Sequence, residues 1–282
     1  MINKLISKAK VNLNPRLSLS LVYIIFSIIF ILLPMVLLLV KAVSPLKTDE
    51  EEIFDNYLLI KQPGTWIIMW RSVSIGLVTA LICLIIALPY AFYVSTSKSR
   101  AFKIYSISLI VSPLIIFTIA KTFSLRALFV TMFDEASLNS YWFMLVGLVF
   151  LNLPFMIIPL YTVFKDMPKN ILEASADLGY NRLQTLFKVV LPYGLKAIFS
   201  GIALVFLMAA TSIIISDKLL PNGGQNQLIG NLINLNANPS NPFDLARSSS
   251  LVLITILVML GIYAIVYFFP ILILKLKGVK NV

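Results

Sequence analysis

Val73–Val94, VSIGLVTALICLIIALPYAFYV, runs for more than twenty residues without a charge. At about 1.5 Å per residue, about 20 apolar residues in a helix cross the roughly 30 Å hydrocarbon core of a bilayer. Lipid offers no water to pair with backbone amides and carbonyls, so a run of this kind is helical whatever its content of Ile and Val. Five further apolar runs flank it: Leu19–Val40, Ile104–Thr122, Tyr141–Val163, Leu195–Ile215 and Leu251–Leu274. The composition agrees, with 59% hydrophobic and 12% charged residues and a mean hydropathy of +0.94. The reading is an all-α integral membrane protein with six transmembrane helices in one membrane domain.

Charge gives the orientation. The N-terminal tail (Lys4, Lys8, Lys10, Arg16), the loops after the second and fourth spans and the C-terminal tail together hold 15 of the 23 Lys and Arg, but only 3 of the 12 acids. The opposite loops hold 8 cations and 9 acids, including the run Asp49–Glu52. By the positive-inside rule both termini are cytoplasmic, in a multi-pass protein of the cell membrane. The net charge of +11 is thus a property of loops facing a bilayer, and no nucleic-acid partner is expected. The basic tail before the first run has the look of a secretory signal, but the run is longer than a signal core and no small-residue cleavage site follows, so it reads as a retained span.

Composition also excludes functions. The chain has no histidine and one cysteine, Cys83, inside an apolar run; imidazole acid–base chemistry, Ser–His and Cys–His nucleophiles, usual zinc sites and a disulfide framework are all set aside. No glycine is followed by lysine, so the chain has no P-loop for nucleotide phosphates. No cofactor and no metal are expected on it, and a polytopic membrane enzyme is the weaker alternative to a transport protein. A self-contained ion-coupled carrier is disfavoured by six spans with no inverted repeat and few intramembrane charges.

The loop over 168–192 carries the most pattern. Asn170 with Glu173 has the spacing of a capping box that opens a short helix, and Gly179 suits a left-handed stop. Asn181 with Gln184 repeats the box and opens a second helix, Arg182 to Val190, with Leu183, Leu186, Phe187 and Val190 on one stripe. Such a bent amphipathic segment either lies on lipid headgroups or covers its stripe against a partner surface or its own membrane domain.

The spacing Glu173-Ala174-Ser175, then Gly179, then Val189-Val190-Leu191-Pro192 resembles the EAA loop of type I ABC-transporter permeases, with Ser175 for the second alanine and Val189 for isoleucine. The segments Leu153-Pro154-Phe155 to Tyr161, Ser216-Asp217, Gly223-Gly224 and Leu228-Ile229-Gly230-Asn231 look most like the spermidine/putrescine permeases of the B type. The likeness covers roughly Ser72 to Tyr267. It implies a MetI-like permease fold in which 69–270 form the transmembrane domain. Before it come the tail, first helix and extracytoplasmic loop (1–68), and after it a cytoplasmic tail (271–282). Glu173, Ala174, Ser175, Asp177, Gly179, Leu191 and Pro192 would then form the coupling loop, seated in a groove of a partner ATPase. The implied assembly has an ATPase dimer that uses the ATP, a second homologous permease and an extracytoplasmic substrate-binding protein. Polyamines are the implied cargo; permeases for thiamine, iron and sulfate share the architecture.

Polar and helix-breaking residues inside spans mark where a solute would pass. Asn152 with Pro154 and Pro159 is expected to interrupt the fourth span and free carbonyls. Ser212 and Ser216 are expected to share a face of the fifth span, for packing or for the path. Asp217, at the outer end of that span, either meets a cationic solute or is an interfacial carboxylate. Lys121 is expected to snorkel to the surface or to pair with Asp134 or Glu135. A short helix is expected around Ile53 to Ile60, and a glycine turn at Asn222-Gly223-Gly224.

Overall fold

The computed structural model describes residues 15–47, 53–134, 137–220 and 227–276. The acidic run Asp49–Glu52, the turn Asn222-Gly223-Gly224 and the basic residues before Pro15 and after Leu276 lie outside them. The architecture is all-helical. Helix α1 runs through Pro15–Ser27, a π turn Ile28–Leu32 and Leu33–Val43. One turn, α2 (Leu58–Lys61), precedes the long α3 (Pro63–Thr96). Helices α4 (Arg100–Ile115) and α5 (Thr118–Met132) follow, then α6 (Tyr141–Lys165). Next come α7 (Lys169–Asp177), α8 (Arg182–Tyr193, with a π turn at Leu186–Val190) and α9 (Leu195–Ala210). After a π turn at Ile215–Leu219 come α10 (Ile229–Asn236) and α11 (Pro242–Leu276).

Four of these helices are long and apolar enough to cross a membrane unbroken, and two bent pairs bring the number to as many as six. One of the expected spans is therefore not straight. Ile104–Thr122 is divided between α4 and α5, which bend by 101° at Ile116–Phe117. Pro113 is the local cause: it has no N–H to donate to the carbonyl of Leu109, and the Ser112 hydroxyl takes that carbonyl at 3.4 Å instead. With its last turn weakened, α4 ends at two extended residues. The fifth span also ends earlier than expected, at Ala210 rather than Ile215.

The core is built by α3, α6 and α9, each packed on the other two. Half of the most apolar window of α3 and of α6 is buried within the chain, against none of that of α1, which runs along α11 and leaves its aliphatic side chains outward. In lipid the gain from hiding one apolar side chain against another is mostly van der Waals contact, so backbones must come close. Gly76 does this for α3 and α9: a Cβ there would stand 2.8 Å from that of Ala210 and 3.0 Å from the Phe206 carbonyl oxygen. Cys83 is buried on α3 with its thiol toward the Val149 carbonyl of α6, as its place in an apolar run implied.

Asn56 fastens the loop after α1. Its amide donates to the Ala42 and Ser44 carbonyls at 3.0 and 2.9 Å, closing the end of α1, while the Ser250 hydroxyl of α11 donates to its own carbonyl. The helix expected from Ile53 to Ile60 is only the single turn α2, because 53–57 are occupied by this fastening. Asp55 accepts from Lys61 and from the Tyr57 amide, and these bonds hold its carboxyl below the usual carboxylate range. A depressed folded-state pKa means that the contribution is present at neutral pH and lost as pH falls through that lowered value. Limited proteolysis of the loop should therefore accelerate on acidification below about pH 4, and Asp55→Asn should remove that dependence.

Candidate functional site

Helix α7, the turn after it and α8 form a tight elbow. The helix does not start with the expected box: the residue before its first turn is Pro168, extended, with no side-chain capping bond. Asn170 and Glu173 therefore sit inside the first turns, because the cap position falls on Pro168, two residues before Asn170. The stop is as read. Gly179 has φ +76°, and the amides of Gly179 and Tyr180 reach back to Ala176 and Ser175 at 2.8 and 3.1 Å, a Schellman closure. The second box is complete, with Asn181 N–H on Gln184 Oε1 at 3.0 Å and Gln184 N–H on Asn181 Oδ1 at 2.8 Å.

The amphipathic stripe divides into two. Leu186 and Val190 are buried in the core shared with α3 and α6, while Leu183 and Phe187 remain more than half exposed. The two exposed side chains edge an apolar recess of about 520 Å³ beside Leu88, Pro89, Leu195 and Phe199. Pro192 explains why α8 is not a plain α-helix. It cannot donate to the Lys188 carbonyl, its ring crowds that carbonyl, and the turn ahead of it widens to a π turn at Leu186–Val190. Leu191 is half-buried beside it, and at Gly194 the chain turns by 79° into α9.

Ser175, which stands in the motif with Glu173 and Ala174, faces inward. It is 2% exposed, and its hydroxyl lies 2.7 Å from that of Thr185, also buried. This one bond ties the two arms of the elbow across the turn. Glu173, Ala174, Asp177 and Gly179 face outward, and so does Leu178, 71% exposed at the apex. Thr185 and Leu178 were not singled out from the sequence. An apolar residue between Asp177 and Gly179, at a turn that must be solvent-facing, was the available signal for Leu178. Ser175→Ala should cost about 1 kcal/mol of thermal stability by orphaning the Thr185 hydroxyl, and the double variant with Thr185→Val should cost less than the two single changes together. Thermal unfolding of the solubilised chain measures both.

The expected pathway residues do not form one cluster on a helix face. Asn152 is buried at 5% exposure, and its amide donates to the Leu148 carbonyl one turn back. Helix α6 is not interrupted there; it continues unbroken past Pro154 and Pro159, packed on α3 and α9. Ser212 and Ser216 do not share a helix face, since α9 ends at Ala210, Ser212 lies in the break after it and Ser216 in the π turn that follows, and α10 packs against the break. A Cβ on Gly230 would lie 2.2 Å from the Thr211 carbonyl oxygen. Ser216 is fully buried and Ser212 half-buried. The first amide of α10, Ile229 N–H, donates to Ser72 Oγ at 2.8 Å, and that buried hydroxyl in turn donates to the Ile68 carbonyl at 2.9 Å. Ser72 was missed in the sequence; a lone hydroxyl in an apolar helix usually bonds its own backbone, and this one also does so. Asp217 is exposed and pairs with Lys218 at 2.9 Å. Lys121 is 8% exposed, in the first turn of α5, so it does not snorkel along the outside of the chain.

Residues 82–273 match the family described as binding-protein-dependent transport system inner membrane component. The chain is 32% identical to the spermidine/putrescine transport system permease protein PotB homolog of Mycoplasma genitalium, across 86% of this chain and 88% of that one. It is 32% identical to the spermidine/putrescine transport system permease protein PotB of Haemophilus influenzae, across 75% and 80%. Among solved structures, a bacterial ABC transporter involved in the import of the acidic polysaccharide alginate superposes with a TM-score of 0.61, 18% identity and coverage of 88% of this chain and 93% of that one. The MetNI methionine ABC transporter in inward-facing form gives a TM-score of 0.56, 13% identity and coverage of 76% and 98%.

Proposed function

The chain belongs to the family of binding-protein-dependent transport inner membrane components, and we propose that, as the permease half of an ATP-driven importer, it carries polyamines. It is a multi-pass membrane permease and not an enzyme; ATP is used by a partner ATPase dimer. The observation that carries the mechanical part is the elbow. Its inner face, Leu186, Val190 and the Ser175–Thr185 bond, is anchored in the transmembrane core, while its tip, Glu173, Ala174, Asp177 and Leu178, is free to seat in a partner. ATP binding closes the ATPase pair and pushes the tip. The anchored side passes the displacement to α3, α6 and α9, and this permease with its homologous partner turns from inward-open to outward-open. An extracytoplasmic binding protein then releases its cargo into the path, and hydrolysis resets the assembly.

In this reading both termini and the elbow are cytoplasmic. Cys83 is buried, so a cysteine placed at Leu178 would be the accessible thiol. It should react with a membrane-impermeant maleimide in inverted vesicles and not in intact cells; the opposite result removes the coupling role. The polyamine assignment comes from the named relatives, and Asp217, Ser216, Ser212 and Asn152 are proposed to lie along or beside the path. Asp217 offers a carboxylate for an ammonium group in exchange for Lys218. Asp217→Asn should raise the KM for spermidine by about two- to fivefold, as expected of an exposed pair. Uptake of labelled spermidine, putrescine, thiamine and sulfate by the reconstituted transporter tests the cargo, and transport of either of the last two in place of polyamines rejects it.

A further inference from the structure

A second cavity, about 680 Å³, opens between the end of α3, the turn into α4 and the inside of the elbow. Its lining includes Tyr93, Ser97, Lys98, Phe102, Tyr180 and Arg182. Two features set its chemistry. Both charged groups among the described lining residues are cations, and no carboxylate is among them. Glu173 and Asp177, on the same arm of the elbow, are exposed and are not among the lining residues. The Arg182 guanidinium stands 6.0 Å over the Tyr93 ring, which lines the same space and aims the group at the cavity wall. Across the elbow Lys188 stacks on Tyr180 at 4.6 Å, which adds positive potential behind the second aromatic wall.

A polyamine is excluded from such a space by charge, so the cavity is not an extension of the cargo path. A small anion with an apolar or uncharged body fits it. Arginine presents a planar fork that matches phosphate oxygens two at a time, lysine adds a point charge, and the hydroxyl of Ser97 and the phenol of Tyr180 supply neutral donors. Tyr93 and Phe102, each 46% exposed, give the body of the ligand an apolar face. The site lies where α3 leaves its apolar run and α4 has not yet begun its own, on the side that the charge distribution assigns to the cytoplasm.

We propose that this cavity binds a phosphate ester, held by Lys98 and Arg182 between the aromatic walls, and that its occupancy braces the elbow against the α3–α4 turn. The phosphate could be carried by an anionic lipid or by a soluble metabolite; the chemistry of recognition is the same. Because the cavity is bounded by Leu172, Ala176 and Thr185 of the elbow as well as by α3, a bound ligand bridges the moving part and the membrane core. Binding does not depend on what the transporter carries, so this inference can fail or hold separately from the polyamine reading.

The test uses the assembled transporter. In nanodiscs of phosphatidylcholine doped with phosphatidylglycerol, native mass spectrometry reads the phosphatidylglycerol retained per complex. In a second arm, equilibrium dialysis of the detergent-solubilised complex reads binding of labelled glycerol phosphate. Retention or binding in either arm should fall by about tenfold or more in Lys98→Gln with Arg182→Gln, the loss expected for two charge-assisted contacts. It should be unchanged in Arg100→Gln with Lys103→Gln, which removes two cations on the adjacent helix outside the lining. Equal losses in both pairs would mean a diffuse basic surface and overturn the site. So would binding in neither arm, or binding by the free permease that vanishes when the ATPase docks, which would mean that a segment of the ATPase fills the space. Lys98, Arg100 and Arg182 are exposed and Lys103 is half-buried, and unchanged thermal unfolding of both double variants checks that the fold is retained.

Discussion

Glu173→Gln and Gly179→Val in one chain should abolish ATP-driven uptake, with a fall of at least about tenfold, while the protein still inserts and α3, α6 and α9 still pack. The two positions act by different physics. Glu173 is exposed on the outward face of α7, and its change removes a charge from the docking surface. Gly179 has open space around the place a Cβ would take, so substitution costs nothing in contacts. Its φ of +76° is the obstacle; a β-branched residue is strained there by about 1–2 kcal/mol or more. The chain escapes by unwinding the Schellman closure, which releases the Tyr180–Ser175 bond and shifts the apex at Leu178. Asparagine tolerates the left-handed region, so Gly179→Asn should keep most of the uptake. Uptake and ATPase rate measured together in proteoliposomes, with cross-linking of the ATPase to the elbow, check the outcome. Normal docking and normal uptake in the double variant would remove the elbow from the coupling path.

Among the described glycines, Gly230→Ala should be the most damaging added methyl. At Gly230 the added carbon would meet the Thr211 carbonyl oxygen at 2.2 Å and its carbon at 2.9 Å, with Ile213 at 3.2 Å behind. The obstacle is backbone, not a side chain that can rotate away, so α10 must withdraw from the break that ends α9. Withdrawal stretches the Ile229–Ser72 bond of 2.8 Å and exposes buried Leu228 and Ser216. Overpacking of a tight site costs about 1–3 kcal/mol, and a clash with main chain belongs at the upper end. We expect a fall in the unfolding temperature of the solubilised permease and a loss of uptake of about tenfold or more, with docking of the ATPase unaffected because the elbow is remote in the chain and its bonds are untouched. Gly261→Ala is the control. No atom lies within 4 Å of that Cβ, and the change should leave stability and uptake as they were.

Much of the elbow could be read in the sequence because its geometry is local. Gly179 as a left-handed stop and the Asn181–Gln184 box depend on bonds between residues a turn apart, and both are present. The box expected at Asn170 and Glu173 is local too, and it is absent because Pro168 takes the cap position with extended backbone and the helix already includes Lys169. The inward turn of Ser175 was not legible. Its partner Thr185 is ten residues away, on a helix whose direction depends on the turn between them. The same holds for Ser72, whose acceptor role depends on an amide 157 residues further along the chain.

From composition, apolar run length and local spacing follow the membrane class, the helical architecture, the absence of histidine chemistry and the position of the elbow: lipid thickness and backbone hydrogen bonding leave few alternatives to an apolar segment of that length, and the elbow's stop and second box lie between residues a turn apart. The tertiary structure decided which of those runs stay straight. The span holding Pro113 breaks and the one holding Pro154 and Pro159 does not: α6 lies along α3 and α9 with ten residues buried, while α4 buries only Ser106 and Ile110. It also decided which polar side chains face inward, a matter of which helices lie side by side. That is set by the close approach of backbones at Gly76 and Gly230, contacts between residues too far apart in sequence for any periodicity to record.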